Sequence, residues 1–226
     1  MSSVSPARPE EQVVDDGKNA IVIDFIDPLF AVVLHISFAE VLHKPWFLNF
    51  HMIFQQPYLF QLGTLFLAYL TIINSWIGYH QSIKKKPIDV ENFWGRVRFG
   101  LDIVLLIFYF ILVASYEDFH RELWVLAVVF LIFVLWDQAK RAETSDNSED
   151  SSARRGVTVF WFGVFLLFFV GYKVISGSPC FVGLLYWIEP SILVAAIISS
   201  FFYRLHKSYL QPRSFLVFLG IHKTHG

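Results

Sequence analysis

Charged residues are scarce in this sequence of 226 residues: 16% are Asp, Glu, Lys or Arg, and 55% are hydrophobic. Soluble domains carry roughly 25% charged residues and roughly 45–50% apolar residues. The apolar excess is gathered in runs that approach the length of about 20 residues that a helix needs to cross the hydrocarbon core. Little chain remains for a soluble domain, so the composition predicts an all-α integral membrane protein in a lipid bilayer.

Cysteine is nearly missing as well, since Cys180 is the only one in the chain, which excludes an intramolecular disulfide and a thiolate zinc cluster. The formal net charge is −1 and no basic stripe is present, so we expect no nucleic-acid partner. Residues 1–19 lack the basic start and the apolar core of a cleavable signal peptide. Because they are polar and acidic, they are predicted to form a disordered cytoplasmic tail.

Catalytic motifs are absent from the sequence, which contains no HExxH, GxSxG, Walker A or GxGxxG pattern. An intramembrane hydrolase needs a nucleophile and a base in paired spans. Ser37 is close to His35 in the chain, but the two lie on different faces of a helix. We therefore expect no enzymatic activity, no metal site and no cofactor.

Six apolar runs are long enough to form transmembrane helices, with Pro57 and Pro190 placed at the start of the second and the sixth. The predicted transmembrane domain covers residues 20–210 and includes a flexible, Ser-rich cytoplasmic loop at 140–156. A cytoplasmic tail follows at 211–226. The predicted spans are about residues 21–42, 58–83, 99–115, 122–138, 157–175 and 190–209.

Lys and Arg residues alternate between the two sides of this six-helix arrangement. One side has the 84–98 link, the 140–155 link and the segment after residue 203, which together hold most of the basic residues. The links on the other side hold only Lys44, Arg121 and Lys173. Because cytoplasmic loops are enriched in Lys and Arg, the pattern predicts six spans with both termini in the cytoplasm. The membrane would be a plasma membrane, or the inner membrane if the protein is bacterial.

Acidic residues and a histidine follow one stripe of the first span, where Asp24, Asp27 and His35 fall together at about 100° per residue. A charge at the centre of a helix in hydrocarbon costs about 2.5 kcal/mol or more, so this stripe is expected to face water, an ion or protein. Alternatively, Asp24 and Asp27 sit at the membrane boundary and cap the helix, which kinks or begins at Pro28. His35 would then be a buried histidine bonded to a neighbouring helix.

Small and polar side chains line one face of the second span, namely Gln61, Thr64, Thr71 and Ser75. Their spacing lets helices approach closely and hydrogen-bond across the contact, so we interpret this stripe as a packing surface. In the third span, Arg98 and Asp102 have the spacing of a helix ion pair. Asp137 and Glu189 are interpreted as boundary residues.

Two short stretches carry a family resemblance: Phe25-Ile26-Asp27 with Phe30-Ala31 behind it, and Trp76 with Tyr79-His80 behind it. They resemble motifs of the lysosomal and endosomal potassium channel family, whose bacterial members are short six-helix chains. Members carry Phe-Ser-Asp on the first helix, and a Trp followed by a His pair on the second. This sequence has Ile26 in place of the serine and Tyr79 in place of the first histidine, and the likeness is confined to these two helices.

The resemblance implies a symmetric homotetramer in which four copies of the first helix line a pore for a monovalent cation. Family members select with apolar side chains on that helix, and this sequence has no Gly-rich loop of the type that forms a carbonyl filter. Phe25, Asp27, Trp76 and His80 would lock the first two helices together. The pore-lining positions implied are Val32, His35, Ile36 and Ala39.

Three functions follow from these patterns, and the first is a potassium-permeable cation channel lined by the first helix. The alternative is a non-conducting anchor or sensor subunit, which would bind a cytoplasmic protein through the charged loop at 137–156. A secondary transporter is the third, although the sequence shows no broken helices in paired positions.

Overall fold

The structure is a computed structural model that describes residues 9–55, 57–85, 88–145, 149–179 and 182–208. Side chains are described in these ranges from Ile26 onward, except at positions 50, 84–85, 149–150, 182 and 208. All regular elements within these residues are α-helices, which confirms the all-helical prediction. They are α1 (Pro9–Leu42), α2 (Pro45–Leu48), α3 (Phe50–Ile53), α4 (Tyr58–Lys85), α5 (Phe93–Ala114), α6 (Phe119–Thr144), α7 (Glu149–Ser176) and α8 (Val182–Ser208).

Five of the helices are long and apolar enough to cross a membrane, which supports a multi-pass integral membrane protein. Their outward surfaces expose large apolar side chains, among them Ile107, Leu167 and Val194. A soluble bundle would bury such residues, whereas a lipid-facing surface accepts them without penalty. The five stretches are Tyr58–Ile83, Phe93–Ala114, Phe119–Thr144, Ser151–Ser176 and Gly183–Lys207.

Short polar residues fix two of the helix starts. The Asn92 side chain accepts a hydrogen bond of 3.0 Å from the Trp94 backbone N–H and caps α5. The Asp118 side chain accepts one of 3.1 Å from the Arg121 N–H and caps α6. Each cap satisfies a backbone donor that has no partner within the helix. The short link at residues 115–118 joins α5 and α6 into a hairpin.

Several helices extend beyond the predicted spans. α1 begins at Pro9, so residues 9–19 are helical although their composition predicts a disordered tail. α6 continues to Thr144 and α7 begins at Glu149, which leaves little of the predicted 140–156 loop outside a helix. The apolar pattern ends at the membrane boundary, but Ala, Glu, Arg and Lys continue a helix into water. Residues 1–8 and the predicted tail at 211–226 lie outside the described residues.

Proline lies inside two helices rather than at their first turns. Pro28 is within α1, and Pro190 is within α8, which begins at Val182 instead of at the proline. A proline removes one helical hydrogen bond. Transmembrane helices accommodate it because neighbouring helices and local adjustments satisfy the freed backbone groups.

The five helices α4 to α8 form a closed ring. Each packs against the next in chain order, α8 packs against α4, and α1 lies outside the ring against α5 and α4. Aromatic rings fill the centre: Phe130 stacks on Phe165 with ring centroids 4.1 Å apart, and Tyr203 packs edge-on against Phe130. Such contacts hold a bundle by dispersion, since lipid removes the hydrophobic drive between helices.

The ring has two chemically different ends. The basic end, as we call it, contains the end of α4, the start of α5, the end of α6, the start of α7 and the end of α8, where Arg98, Lys140 and Lys207 lie. At the opposite end, Lys44 donates to Glu117 at 2.9 Å. Hydrogen bonds from Lys44 and Tyr116 lower the pKa of the Glu117 carboxyl.

A glycine at the start of α5 is required by a close backbone approach. A Cβ atom built on Gly95 would lie 1.8 Å from the Asp89 carbonyl oxygen, whereas one on Gly100 would meet nothing within 4 Å. We expect Gly95→Ala to lower the free energy of unfolding by about 1–3 kcal/mol, because the backbone must move. Gly100→Ala should raise it by about 0.5–1 kcal/mol. Thermal unfolding in detergent compares them, and equal stability would contradict the close approach.

Candidate functional site

α1 is tied to α4 through a carboxylate. Oδ1 of Asp27 accepts a hydrogen bond from Trp76 Nε1 at 3.2 Å, and Oδ2 lies 3.1 Å from His80 Nε2. Trp76 and His80 are four residues apart, so they share one face of α4. Asp27 and His80 are each partly exposed. The structure thus brings together three of the four residues that the resemblance assigns to a helix lock, and the Phe25 side chain lies outside the described residues.

The His80 ring contacts an acceptor through each of its nitrogens. Nε2 faces the Asp27 carboxylate, and Nδ1 lies 3.1 Å from the Trp76 backbone oxygen. A neutral imidazole carries one N–H, so the tautomer decides which of the two oxygens receives a hydrogen bond from the ring. The Trp76 and His80 ring centroids are 4.6 Å apart and the rings are tilted by 57°, so the two partners of Asp27 also contact each other.

A second polar contact joins the same helices deeper in the bundle, where Ser37 Oγ lies 3.0 Å from the Tyr69 hydroxyl. Asp27 pairs with the end of α4 and Ser37 with its middle, so α1 runs antiparallel to α4. Beside and between these contacts, α1 buries Ile26, Phe30 and Val33 against the bundle. One face of α1 is therefore packed against the other helices of the same chain.

The other face of α1 is uncovered. Val32 is 49% exposed and Ile36 is 47% exposed, and His35 between them is exposed as well. Ala39, the fourth position that the resemblance assigns to the pore, is partly buried. His35 has no hydrogen bond to a neighbouring helix among the described residues, so the interpretation as a bonded, buried histidine does not fit one chain alone. The Asp24 side chain lies outside the described residues.

The polar stripe of α4 makes packing contacts. Thr64 Oγ1 donates to the Tyr116 carbonyl oxygen at 2.7 Å, and Thr71 Oγ1 lies 3.4 Å from Ser200 Oγ on α8. Gln61 is half-buried near the start of the helix, and Ser75 faces a cavity. These contacts join α4 to the α5–α6 link and to α8, as a packing surface does.

Buried charges gather at the basic end, where the sequence analysis expected only a local pair. Arg98 donates to Glu143 on α6 at 2.9 Å, and the two side chains are 0% and 4% exposed. Asp102, the expected partner of Arg98, instead accepts a hydrogen bond from Trp136 Nε1 at 2.8 Å. The Arg98 guanidinium also lies 4.5 Å from the centroid of the Trp136 ring. The expected ion pair between Arg98 and Asp102 does not form, because the Glu143 carboxylate of α6 contacts the Arg98 guanidinium instead.

A second ion pair joins α6 to α8 beside the first. Lys207 Nζ lies 2.9 Å from Asp137 Oδ2, and Thr158 on α7 donates to the same oxygen at 2.6 Å. Asp137 is therefore an internal partner rather than a solvated boundary residue. Glu189, also expected at the boundary, accepts a hydrogen bond of 2.6 Å from the Tyr172 hydroxyl.

A cavity of about 410 Å³ lies among the helices at the basic end. All five ring helices contribute to its wall, and Ile26 and Phe30 of α1 close one side. Its charged wall residues are Asp102, Asp137, Lys140, Arg141, Arg154, Arg204 and Lys207. No motif in the sequence indicates this site, because its charged residues are spread over four helices.

A further buried acid, Glu122, is not among the residues that the sequence predicts to be functional. Glu122 in the first turn of α6 is fully buried, and neither of its carboxylate oxygens has a hydrogen-bond partner among the described residues. The only signal in the sequence is an acid directly before an apolar run. The described part of the chain contains no group of three His, Cys, Asp or Glu side chains that could hold a metal ion.

Comparison with protein-family models, with characterised proteins and with solved structures finds no match to this chain.

Proposed function

We propose that this protein is a homotetrameric, potassium-permeable cation channel in which α1 lines the pore. The observation that carries the proposal is the division of α1 into two faces. Asp27 ties one face to Trp76 and His80 on α4, and Val32, His35 and Ile36 lie on a face that the chain leaves uncovered. The resemblance to the endosomal potassium channels assigns these same two roles to these positions.

The uncovered face of α1 favours assembly around a central axis. An imidazole in contact with acyl chains is costly, and polar residues within membranes usually face protein or water. Assembly around an axis would place His35 beside a water-filled path and Val32 and Ile36 at its apolar constriction. Since α1 lies outside the ring of its own chain, four copies could meet through it without disturbing α4 to α8.

A sixth span follows from the same arrangement. The part of α1 from residue 21 to Leu42 is long enough to cross the hydrocarbon core, at a rise of about 1.5 Å per residue. It runs antiparallel to α4, so its start lies at the basic end with the end of α8. Since Lys and Arg favour the cytoplasmic side, we place both termini in the cytoplasm.

Reconstitution tests the proposed channel directly. The purified chain in liposomes should release K⁺ down its gradient when a protonophore balances the charge, and native mass spectrometry should give four copies. Empty liposomes provide the baseline. Correctly folded tetramers that stay electrically silent, or a monomer, would count against the channel.

The position of α1 at the pore predicts a difference in water access between two exposed isoleucines. In a Cys180→Ser background, we expect a charged thiosulfonate to react at least about tenfold faster with Ile36→Cys than with Ile107→Cys, because a thiolate forms in water and not in lipid. Ile107 is the matched control, since it is similarly exposed but lies on α5. Modification at Ile36 should also block K⁺ release. Equally slow reaction at both sites would contradict a pore along α1.

A further inference from the structure

Basic side chains outnumber acidic ones in the wall of the cavity at the basic end. The wall contains five basic side chains (Lys140, Arg141, Arg154, Arg204 and Lys207) and two acidic ones (Asp102 and Asp137). One acid is already matched, because Asp137 pairs with Lys207. A concave, basic wall with low-dielectric surroundings concentrates anions.

The inner part of the cavity has a different chemistry. Asn74 and Asp102 both line it, and Asp102 is 5% exposed. Neither the amide nitrogen of Asn74 nor Oδ2 of Asp102 has a hydrogen-bond partner among the described residues. Asn74 lies two helical turns, roughly 10 Å, deeper along α4 than Gln81 at the level of Arg204. A buried donor and a buried acceptor without partners suit hydroxyl groups, which both donate and accept.

We propose that this cavity binds a phosphorylated polyol, with its phosphates among the basic residues of the mouth and its hydroxyls at Asn74 and Asp102. Lys140 is suited to a phosphate, because its only hydrogen bond among those described is to the uncharged Ser82, at 2.7 Å. Arg154 is exposed where the cavity opens. The same chemistry occurs in the headgroup of a phosphoinositide lipid and in a soluble inositol phosphate.

The location of the cavity agrees with an anionic ligand from the membrane surface or the solution beside it. Its wall includes the exposed Arg154 at the basic end of the bundle, where the helices would meet lipid headgroups. Basic pockets between transmembrane helices on the cytoplasmic side are established binding places for anionic headgroups. A metal cation is disfavoured, because the surplus basic side chains would repel it.

Two probes distinguish the two sources of this ligand chemistry. The first is soluble inositol trisphosphate, titrated by calorimetry onto the full chain in phosphatidylcholine nanodiscs. The second is phosphatidylinositol bisphosphate incorporated into the nanodiscs, with retention measured by native mass spectrometry. Binding of either probe supports the proposal and identifies the source, and binding of neither overturns it. Affinity for the soluble probe should fall with rising salt, since exposed charges are screened.

Neighbouring arginines on α7 give a matched pair of variants. Arg154 lines the cavity, whereas Arg155 does not and donates instead to Gln138 on α6 at 3.2 Å. Both changes remove one charge near the surface, so neither should unfold the chain. We expect Arg154→Gln to weaken inositol trisphosphate binding by about threefold or more, and Arg155→Gln to leave it unchanged. Equal effects of the two variants would overturn binding in the cavity.

The inner polar groups are tested by a second comparison. Asp102→Asn keeps an acceptor for Trp136 but replaces the unpartnered oxygen with an NH₂ group. It should weaken inositol trisphosphate relative to pyrophosphate, which has no hydroxyls and binds unchanged or more tightly once the negative charge of Asp102 is removed. Parallel loss of both probes would contradict recognition of hydroxyls at Asp102, and the melting temperature of the variant in nanodiscs controls for a loss of fold.

Discussion

Replacing Glu143 with Gln is expected to lower the free energy of unfolding by about 3–5 kcal/mol, the cost of breaking a buried ion pair from one side. Glu143 accepts from Arg98 at 2.9 Å and from the Asp89 backbone N–H at 2.7 Å. A glutamine amide satisfies one of these donors and turns its own NH₂ towards the other. The Arg98 guanidinium is then left buried without the carboxylate that contacts it directly. Unfolding in a graded denaturing detergent measures the loss.

Two comparisons separate this effect from a general sensitivity to lost carboxylates. Glu117→Gln also breaks a pair, with Lys44, but Glu117 is 51% exposed and the change should cost less than about 1 kcal/mol. The double variant Arg98→Met with Glu143→Leu removes both charges and should recover much of the lost stability. Similar losses for Glu143→Gln and Glu117→Gln would show that the Arg98 pair is not sealed from water.

The helices of the membrane region could be predicted from the sequence because each carries its own signal. A run of apolar side chains fixes a span wherever it occurs, so the cores of α4 to α8 agree with the predicted spans. The helix ends could not be predicted in the same way. Hydropathy falls at the membrane boundary, while the helical hydrogen bonds of α6 and α7 continue past it into polar sequence.

The partners of the buried charges depend on packing that local spacing does not determine. Arg98 has Asp102 four residues away, and from the sequence alone this is the natural ion pair. The structure pairs Arg98 with Glu143, which is 45 residues away and falls in the predicted flexible loop. The cavity could not be predicted for the same reason, since it is formed only where five helices meet. The contacts of Asp27 with Trp76 and His80 could be predicted only from the motif resemblance, which links these positions. Local spacing does not link them, because they lie on different helices.

Removing the carboxylate of Asp27 is expected to reduce K⁺ release from proteoliposomes by about tenfold or more, because hydrogen bonds to a charged group contribute about 1.5–3 kcal/mol each. Asp27→Ala removes the acceptors for both Trp76 and His80, which releases the Asp27 position of α1 from the end of α4. Asp27→Asn should have a smaller effect, because an amide oxygen still accepts from Trp76 Nε1 while the charge opposite His80 is lost. The graded order of the two variants is the expected result.

The control lies on the same helix: Glu40 is an exposed acid of α1, so Glu40→Gln removes a charge without loosening α1 from α4. A double-mutant cycle gives the stronger test, since Asp27 and His80 act on one contact. Adding His80→Gln to Asp27→Ala should then change K⁺ release little, whereas independent roles would make the two losses add. Tetramer content of each variant separates conduction from assembly. If Asp27→Ala tetramers conduct like the unaltered protein, the contact between α1 and α4 stabilises the fold but is not needed for conduction, which contradicts its proposed role in the pore.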